Sequence, residues 1–364
     1  MLLLAGEESG VMYAGRIASE VRRRVPAVEI RGYGDYGFKV VDLAVMGVGQ
    51  VLKKIFYFLR VKRTMERAID EWRPDVVCTV DYPGMNLKLA AYAKARGIRT
   101  VHVVCPQVWA WQRGRIPKIE AALDRLCCFF PFEPVLFRSG FAEFVGHPLA
   151  DEFVSEAKAR AKVGGGEGKL LALLPGSRMG EIEKHLPTLL EVAEALRREM
   201  PDLKVVIPAA GERAQGAIAA CVARRASAPD AVECRLGGAR DVLLRADAAV
   251  VASGTATLEA ALAGCPTVLV YKVGWLFAFL ARRFIKGIRH IGLANIIAEK
   301  AGAECPMPEL LQEDFTAENV LQRLGPWLRD EAANAAARRS LGETMKLLES
   351  DGGAMARIAS CIVA

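Results

Sequence analysis

The chain has 364 residues, more than one ordinary domain holds, and its 52% hydrophobic and 25% charged composition excludes a disordered protein. Lys and Arg number 49 against 42 Asp and Glu, a formal charge of +7. Residues 1–150 contain 22 basic and 15 acidic side chains, so the whole excess lies there and points to an anionic surface or ligand. No apolar run approaches the roughly 18–20 residues needed to cross a bilayer. Nine cysteines without a CxxC pair and four scattered histidines offer no metal-ligand spacing. The thiols are expected to be reduced and buried, as in a cytoplasmic protein.

In chain order, Leu2–Ala5 reads as a first strand, followed by the GEESG loop at 6–10 and a helix. Residues 48–67 form a helical pattern with Val48, Val51, Leu52, Ile55 and Leu59 on one face. Lys53, Arg60, Arg63 and Arg67 lie opposite, with Phe56 and Tyr57 on the flanks. A strand then ends at Asp81, a helix runs from about Asn86 to Arg96, and a further strand precedes Cys105. Strand, turn and helix in this order mean βαβ units and a parallel sheet. The pattern breaks at GHPLAD near 146–151, and GGGEG at 164–168 reads as an exposed loop. A second series follows: a strand at 169–174, a helix from about Glu181 to Arg198, a strand in LKVVIPAAG, a strand or turn around AVECRLG, a strand in AAVVASG, a helix from Thr257 and a strand in TVLVYK. Two Rossmann-like parallel-sheet α/β domains are therefore expected, facing across a cleft, with ligands beyond the strand carboxyl ends. Their expected bounds are 1–150, joined by a returning C-terminal helix from about 340 to 364, and 151–339.

Two loops of the second half suit phosphate. Pro175-Gly176-Ser177-Arg178 links a strand to a helix: Gly176 lets backbone approach a ligand, Ser177 can donate, and Arg178 can clamp oxygens beside a helix N-terminus. Ser253-Gly254-Thr255 opens the helix that bears Glu259, which can accept from a ribose diol. The plainer alternative is an ordinary turn and a helix cap. In the first half, Glu7 and Asp81 stand at strand ends, where a carboxylate can act as general base. Trp109, Trp111, Arg113 and Arg115 add aromatic and basic groups, as substrate wall or as core anchors. Residues 275–289 place Trp275 and Phe279 among Arg282, Arg283, Lys286 and Arg289. With Phe56 and Tyr57, these are candidates for contact with an anionic membrane surface; a core-facing helix is the alternative. Nucleic acid is not expected, because the basic residues are interleaved with large apolar ones and no recognised nucleic-acid motif occurs.

The chain resembles the lipid-A-disaccharide synthases, inverting glycosyltransferases of the GT-B fold. The motifs that carry the resemblance are AGEESG (5–10), LAVMG (43–47), VDYPGMNLKLA (80–90), CPQVWAWQRGRIPKI (105–119), PFEPVLF (131–137), FVGHPLAD (144–151), LLPGSR (173–178), ASGTATLEA (252–260), LANIIAE (293–299) and PELLQED (308–314). The resemblance implies transfer of 2,3-diacylglucosamine from UDP-2,3-diacylglucosamine to 2,3-diacylglucosamine 1-phosphate, giving the β-1,6 disaccharide 1-phosphate and UDP. It implies Asp81 or Glu7 as the base, and Arg178, Asn295, Glu259 and Gln312 on the donor side. No cofactor and no metal is implied. A peripheral position on the inner face of the inner membrane is expected, and a homodimer is allowed for. Three positions depart from the family pattern: Val11 follows Ser9-Gly10, Gly84 replaces a second carboxylate, and Lys300 stands near an expected arginine. The competing readings are another UDP-sugar enzyme on the same architecture (a 2-epimerase or a transferase making the peptidoglycan lipid intermediate) and a catalytically lapsed membrane-surface binding protein.

Overall fold

A computed structural model describes residues 1–6, 8–38, 48–110, 112–160, 168–273 and 289–364. The chain forms two units, Met1–Pro148 with Leu348–Ala364, and Leu149–Leu347. The first contains β1 (Leu2–Ala5), α1 (Glu8–Arg24), α2 (Val48–Trp72), β2 (Val76–Val80), α3 (Pro83–Lys94), β3 (Arg99–Val103), α4 (Ile116–Ala122), β4 (Arg125–Cys128) and β5 (Ala142–Phe144). Among the described residues its sheet is parallel throughout, in the order β1-β2-β3-β4-β5. Continuous apolar runs suit such strands because helices cover both faces. Alternate side chains divide between two cores. Leu3 and Val80 pack with Ile17 and Val21 of α1, whereas Leu2, Leu4 and Val77 pack with Met65 and Ile69 of α2 and Leu89 of α3.

Helix α2 carries two apolar stripes. The one that enters the core runs through Tyr57, Val61, Met65, Ala68 and Ile69. At 100° per residue it lies about 130° around the helix from the stripe that contains Leu59. Tyr57 is therefore corrected from a surface candidate to a half-buried residue packed against the core: its ring meets Phe38 edge-on at 6.1 Å. Phe56 is 82% exposed and Leu59 is 42% exposed. Trp275, Phe279, Arg282 and Arg283 lie outside the described residues.

The second unit contains α5 (Pro148–Arg160), β6 (Leu170–Leu174), α6 (Met179–Glu199), β7 (Lys204–Ala209), α7 (Glu212–Arg225), β8 (Val232–Leu236), α8 (Ala239–Arg245), β9 (Ala248–Ala252), α9 (Thr255–Leu262), β10 (Thr267–Tyr271), α10 (Leu293–Lys300), β11 (Glu309–Leu311), α11 (Ala317–Arg329) and α12 (Glu331–Lys346). Its parallel sheet has the order β11-β10-β9-β6-β7-β8 among the described residues. The AVECRLG stretch is thus an edge strand, β8. Strand order reverses between β9 and β6, which makes their carboxyl ends the switch point where ligands gather in open α/β sheets.

The return to the first unit begins at Leu348, because α12 belongs to the second. Helix α13 (Ala354–Val363) buries Ile358 and Ile362 against the face shared by α1 and the sheet. Arg24 donates to Ser360 Oγ at 2.6 Å, and Arg357 pairs with Glu143 at 2.6 Å. Among the described residues no helix is long and apolar enough to cross a membrane.

Candidate active site

In the first unit, Asp81 follows β2 directly. Asp81 and Tyr82 both take left-handed backbone angles, φ +50° and +49°, before Pro83 starts α3. Two consecutive non-glycine residues in this region are strained, and such strain persists where the surroundings hold it. Asn86, fully buried one turn into α3, supplies that hold: its Nδ2 lies 2.8 Å from the Asp81 carbonyl, 3.1 Å from that of Val80 and 3.2 Å from that of Leu4. Tyr33 donates to Asn86 Oδ1 at 2.8 Å. The Tyr82 ring lies so close to Gly6 that a Cβ there would collide with it, which couples the end of β1 to the Asp81 turn. Glu7, the next residue, lies outside the described residues.

Asp81 lines a cavity of about 260 Å³ with Val104, Gln107, Gln112, Arg115 and Glu133 among its neighbours. Val104 and Gln112 are also left-handed, at φ +77° and +58°, and a β-branched residue in that region is uncommon. Burial pushes the Asp81 carboxyl above its ordinary range, against the Tyr82 N–H that donates to Oδ1 at 2.8 Å. Glu133 is 2% exposed, and burial pushes it up to about 8, against the Phe130 N–H that donates to Oε2 at 3.1 Å. It is thus a neutral acid at pH 7. Cys105, Cys128 and Glu133 bring ligand atoms within 4.8 Å of one another, the grouping that can hold a metal ion among the described residues. The Cys128 thiol is pushed up by its hydrogen bond with Cys105 and by burial. A cation there would have to displace protons from groups that hold them tightly. All nine cysteines are free thiols, six of them buried.

In the second unit, Gly176 follows β6 and Gly254 follows β9, on adjacent strands at the switch point. Gly176 has φ +116°, and a Cβ there would lie 2.7 Å from that of Glu181, so the turn requires glycine. Glu181 accepts from the N–H groups of Ser177 (3.2 Å) and Arg178 (3.3 Å) and pairs with the Arg178 guanidinium at 2.9 Å. The Arg178 side chain is 68% exposed, and an exposed pair of this kind binds its arginine weakly. Ser253, Gly254 and Thr255 open α9, and no side chain caps it. Neither Ser253 nor Thr255 therefore acts as the cap; the Thr257 N–H donates to the Gly254 carbonyl at 3.1 Å, and the helix start carries the positive end of the dipole. Burial pushes Glu259 above its ordinary range, against Arg240, whose guanidinium lies 3.9 Å away and also pairs with Glu152 at 2.7 Å.

Two further donor-side candidates have defined structural partners. Asn295 is fully buried and both ends of its amide are engaged: Nδ2 donates to the Met307 carbonyl at 2.7 Å and Glu309 at 2.8 Å, and Oδ1 accepts from the Met307 N–H at 3.0 Å. Its task here is to seat α10. Gln312, left-handed at φ +55°, accepts from the Val273 N–H at 3.3 Å. Sequence reasoning missed Asn86, Glu133, Glu309 and His185. Glu309 accepts from the Ile291 and Gly292 N–H groups, both at 3.0 Å, at the entrance to α10. His185, fully buried in α6, bridges the Pro175 carbonyl at 2.8 Å and the Lys272 N–H at 2.9 Å, joining the ends of β6 and β10. For Asn86, Glu133 and Glu309 the advance signal was a polar side chain within a motif, and His185 lies outside those motifs.

A family model described as Lipid-A-disaccharide synthetase matches residues 1–361. The Lipid-A-disaccharide synthase of Geobacter sulfurreducens is 34% identical over 378 residues, spanning 100% of this chain and 96% of that protein. That of Chromohalobacter salexigens is 37% identical over 375 residues, spanning 99% and 95%. Among solved structures, an S. aureus MnaA–UDP co-structure matches with a TM-score of 0.61 at 13% identity, covering 98% of this chain and 94% of that one. The calicheamicin glycosyltransferase CalG4 matches at 0.60 and 16% identity, covering 100% and 97%. At these identities the structural likeness establishes the two-domain GT-B fold and nothing finer.

Proposed function

This chain belongs to the lipid-A-disaccharide synthase family and is a glycosyltransferase, and from that premise we propose that it transfers 2,3-diacylglucosamine from UDP-2,3-diacylglucosamine to 2,3-diacylglucosamine 1-phosphate. The observation that carries the proposal is the strained, half-buried Asp81 in a pocket of the first unit. The uncapped α9 beside the Gly176 turn in the second supplies a complementary anion seat. The acceptor 6-hydroxyl attacks the donor anomeric carbon as Asp81 takes its proton. The bond from that carbon to the β-phosphate oxygen breaks in the same step, inverting the centre and giving the β-1,6 disaccharide 1-phosphate. Raised basicity makes Asp81 a stronger proton acceptor than an ordinary aspartate. Charge that develops on the departing UDP is met by the α9 N–H groups and Arg178; Glu259 accepts from the ribose, while Asn295 and Gln312 hold the surrounding backbone.

Both substrates carry acyl chains, so the protein works as a peripheral protein on the inner face of the inner membrane. Exposed Phe56 and Leu59, beside exposed Arg60 and Arg63 on α2, support that reading. The test is UDP release from UDP-2,3-diacylglucosamine with and without 2,3-diacylglucosamine 1-phosphate. Release that depends on acceptor is expected, and release indifferent to it overturns the transferase reading in favour of a 2-epimerase or hydrolytic activity. Asp81→Asn is expected to cut transfer by on the order of a hundredfold or more while UDP affinity stays near wild type. Equal loss of nucleotide affinity removes Asp81 from the base role.

A further inference from the structure

The Asp81 pocket holds a charge that the transfer step does not use. Among the described residues that line it, Arg115 is the only cation. Among the described residues it forms no ion pair with Asp81, whose Oδ1 accepts from the Tyr82 N–H. Nor does it pair with Glu133, whose Oε2 accepts from the Phe130 N–H. The contact Arg115 makes is a long one, 3.4 Å from Nη1 to Gln112 Oε1, with a neutral amide. Gln112 is itself held in left-handed backbone at the pocket rim, and Gln107 adds a second amide to the lining. A half-buried guanidinium with no carboxylate partner among the described residues, sharing the pocket with two amides, is suited to an anion that presents two oxygens to its planar fork, such as a phosphate monoester.

We propose that Arg115, with the Gln107 and Gln112 amides, binds the phosphate monoester of the acceptor sugar and selects phosphorylated over unphosphorylated acceptors. This assignment rests on the acceptor reading above. The leaving diphosphate has its own seat at the glycine turns of the second unit, so the anion that shares a pocket with the base is the one carried by the attacking sugar. Fixing the phosphate orients the hydroxyl toward Asp81, which makes Arg115 a specificity residue and not a proton carrier. Phosphate presented by lipid headgroups has the same chemistry, so the assay is run in neutral-detergent micelles and again with anionic phospholipid added.

The experiment measures acceptor and donor KM for wild type, Arg115→Met and Arg115→Lys, using 2,3-diacylglucosamine 1-phosphate and its dephosphorylated counterpart. Wild type is expected to prefer the phosphorylated acceptor. R115M is expected to raise KM for that acceptor on the order of ten- to a hundredfold and to abolish the preference, with donor KM unchanged. R115K, a point charge without the fork, restores part of the preference. A preference that survives intact in R115M overturns the assignment, as does a rise in donor KM equal to that for acceptor. Loss that appears only when anionic phospholipid is present assigns Arg115 to the lipid surface and also overturns it. Failure of the synthase reading itself looks different: wild type then transfers to neither acceptor.

Discussion

Replacing Glu133 by glutamine isolates the cost of keeping a carboxylic acid out of water beside the base. The glutamine carbonyl can still accept from the Phe130 N–H, so the turn at 130–133 keeps its hydrogen bond. Glu133 is 2% exposed, and burial carries it from 4.5 to about 8. Below pH 4.5 folded and unfolded chains both hold the proton, and the residue contributes nothing to pH dependence. Between 4.5 and 8 only the folded chain holds it, so stability falls with rising pH by roughly 1.4 kcal/mol per unit. From pH 5.5 to 7.5 the wild type should therefore lose on the order of 2 kcal/mol through this one group. The assay is urea unfolding of both proteins at the two pH values. E133Q should lose on the order of 2 kcal/mol less than wild type over the interval, and it should retain transfer at pH 7, because glutamine matches the protonated acid in charge. Equal pH dependence in the two proteins refutes a neutral, buried Glu133.

Two other perturbations address the donor loop and the surface of α2. His185→Ala strands the Lys272 N–H and frees the Pro175 turn, and it should weaken UDP binding about tenfold in calorimetric titration and cost about 1–3 kcal/mol of stability. Burial lowers the His185 pKa, so wild type loses stability as pH falls below about 6.5, where the unfolded imidazole alone gains a proton, and the variant should lack that loss. Unchanged UDP affinity in the variant separates His185 from the loop. Phe56→Ser with Leu59→Ser removes two exposed apolar groups, so sedimentation with anionic vesicles should drop while urea stability stays within about 0.5 kcal/mol. Undiminished sedimentation removes this face from the membrane contact.

The sheet strands were legible because parallel strands buried on both faces read as continuous apolar runs: LLLA in β1, LLALL in β6 and AAVVA in β9. Short edge strands were not, since AEF in β5 and ELL in β11 are too brief and too polar to show a period. Helix α3 starts at Pro83, three residues before its expected beginning, because proline at the first helical position continues directly from the left-handed turn. Asp81 and the Gly176 and Gly254 turns could be found from residue type and position at strand ends alone. Phe56 and Tyr57 flank one apolar face of α2 alike on sequence, and only packing decided that Tyr57 lies half-buried against the core while Phe56 and Leu59 stay exposed.

The amino-acid order by itself therefore determined the succession of βαβ units, the carboxylate after β2 and the two glycine turns, because these follow from local periodicity and backbone sterics. Tertiary structure decided which polar groups are dry. Glu133 reads as a solvated loop acid until Phe130 and Cys105 close around it, and Asn295 reads as a ligand contact until Met307 and Glu309 take up its amide. His185 reads as one position on an amphipathic helix until Pro175 and Lys272 meet it from two strands. Burial is a property of contacts distant in sequence, and it sets both the proton affinity of a carboxyl and the number of hydrogen bonds an amide has left to offer.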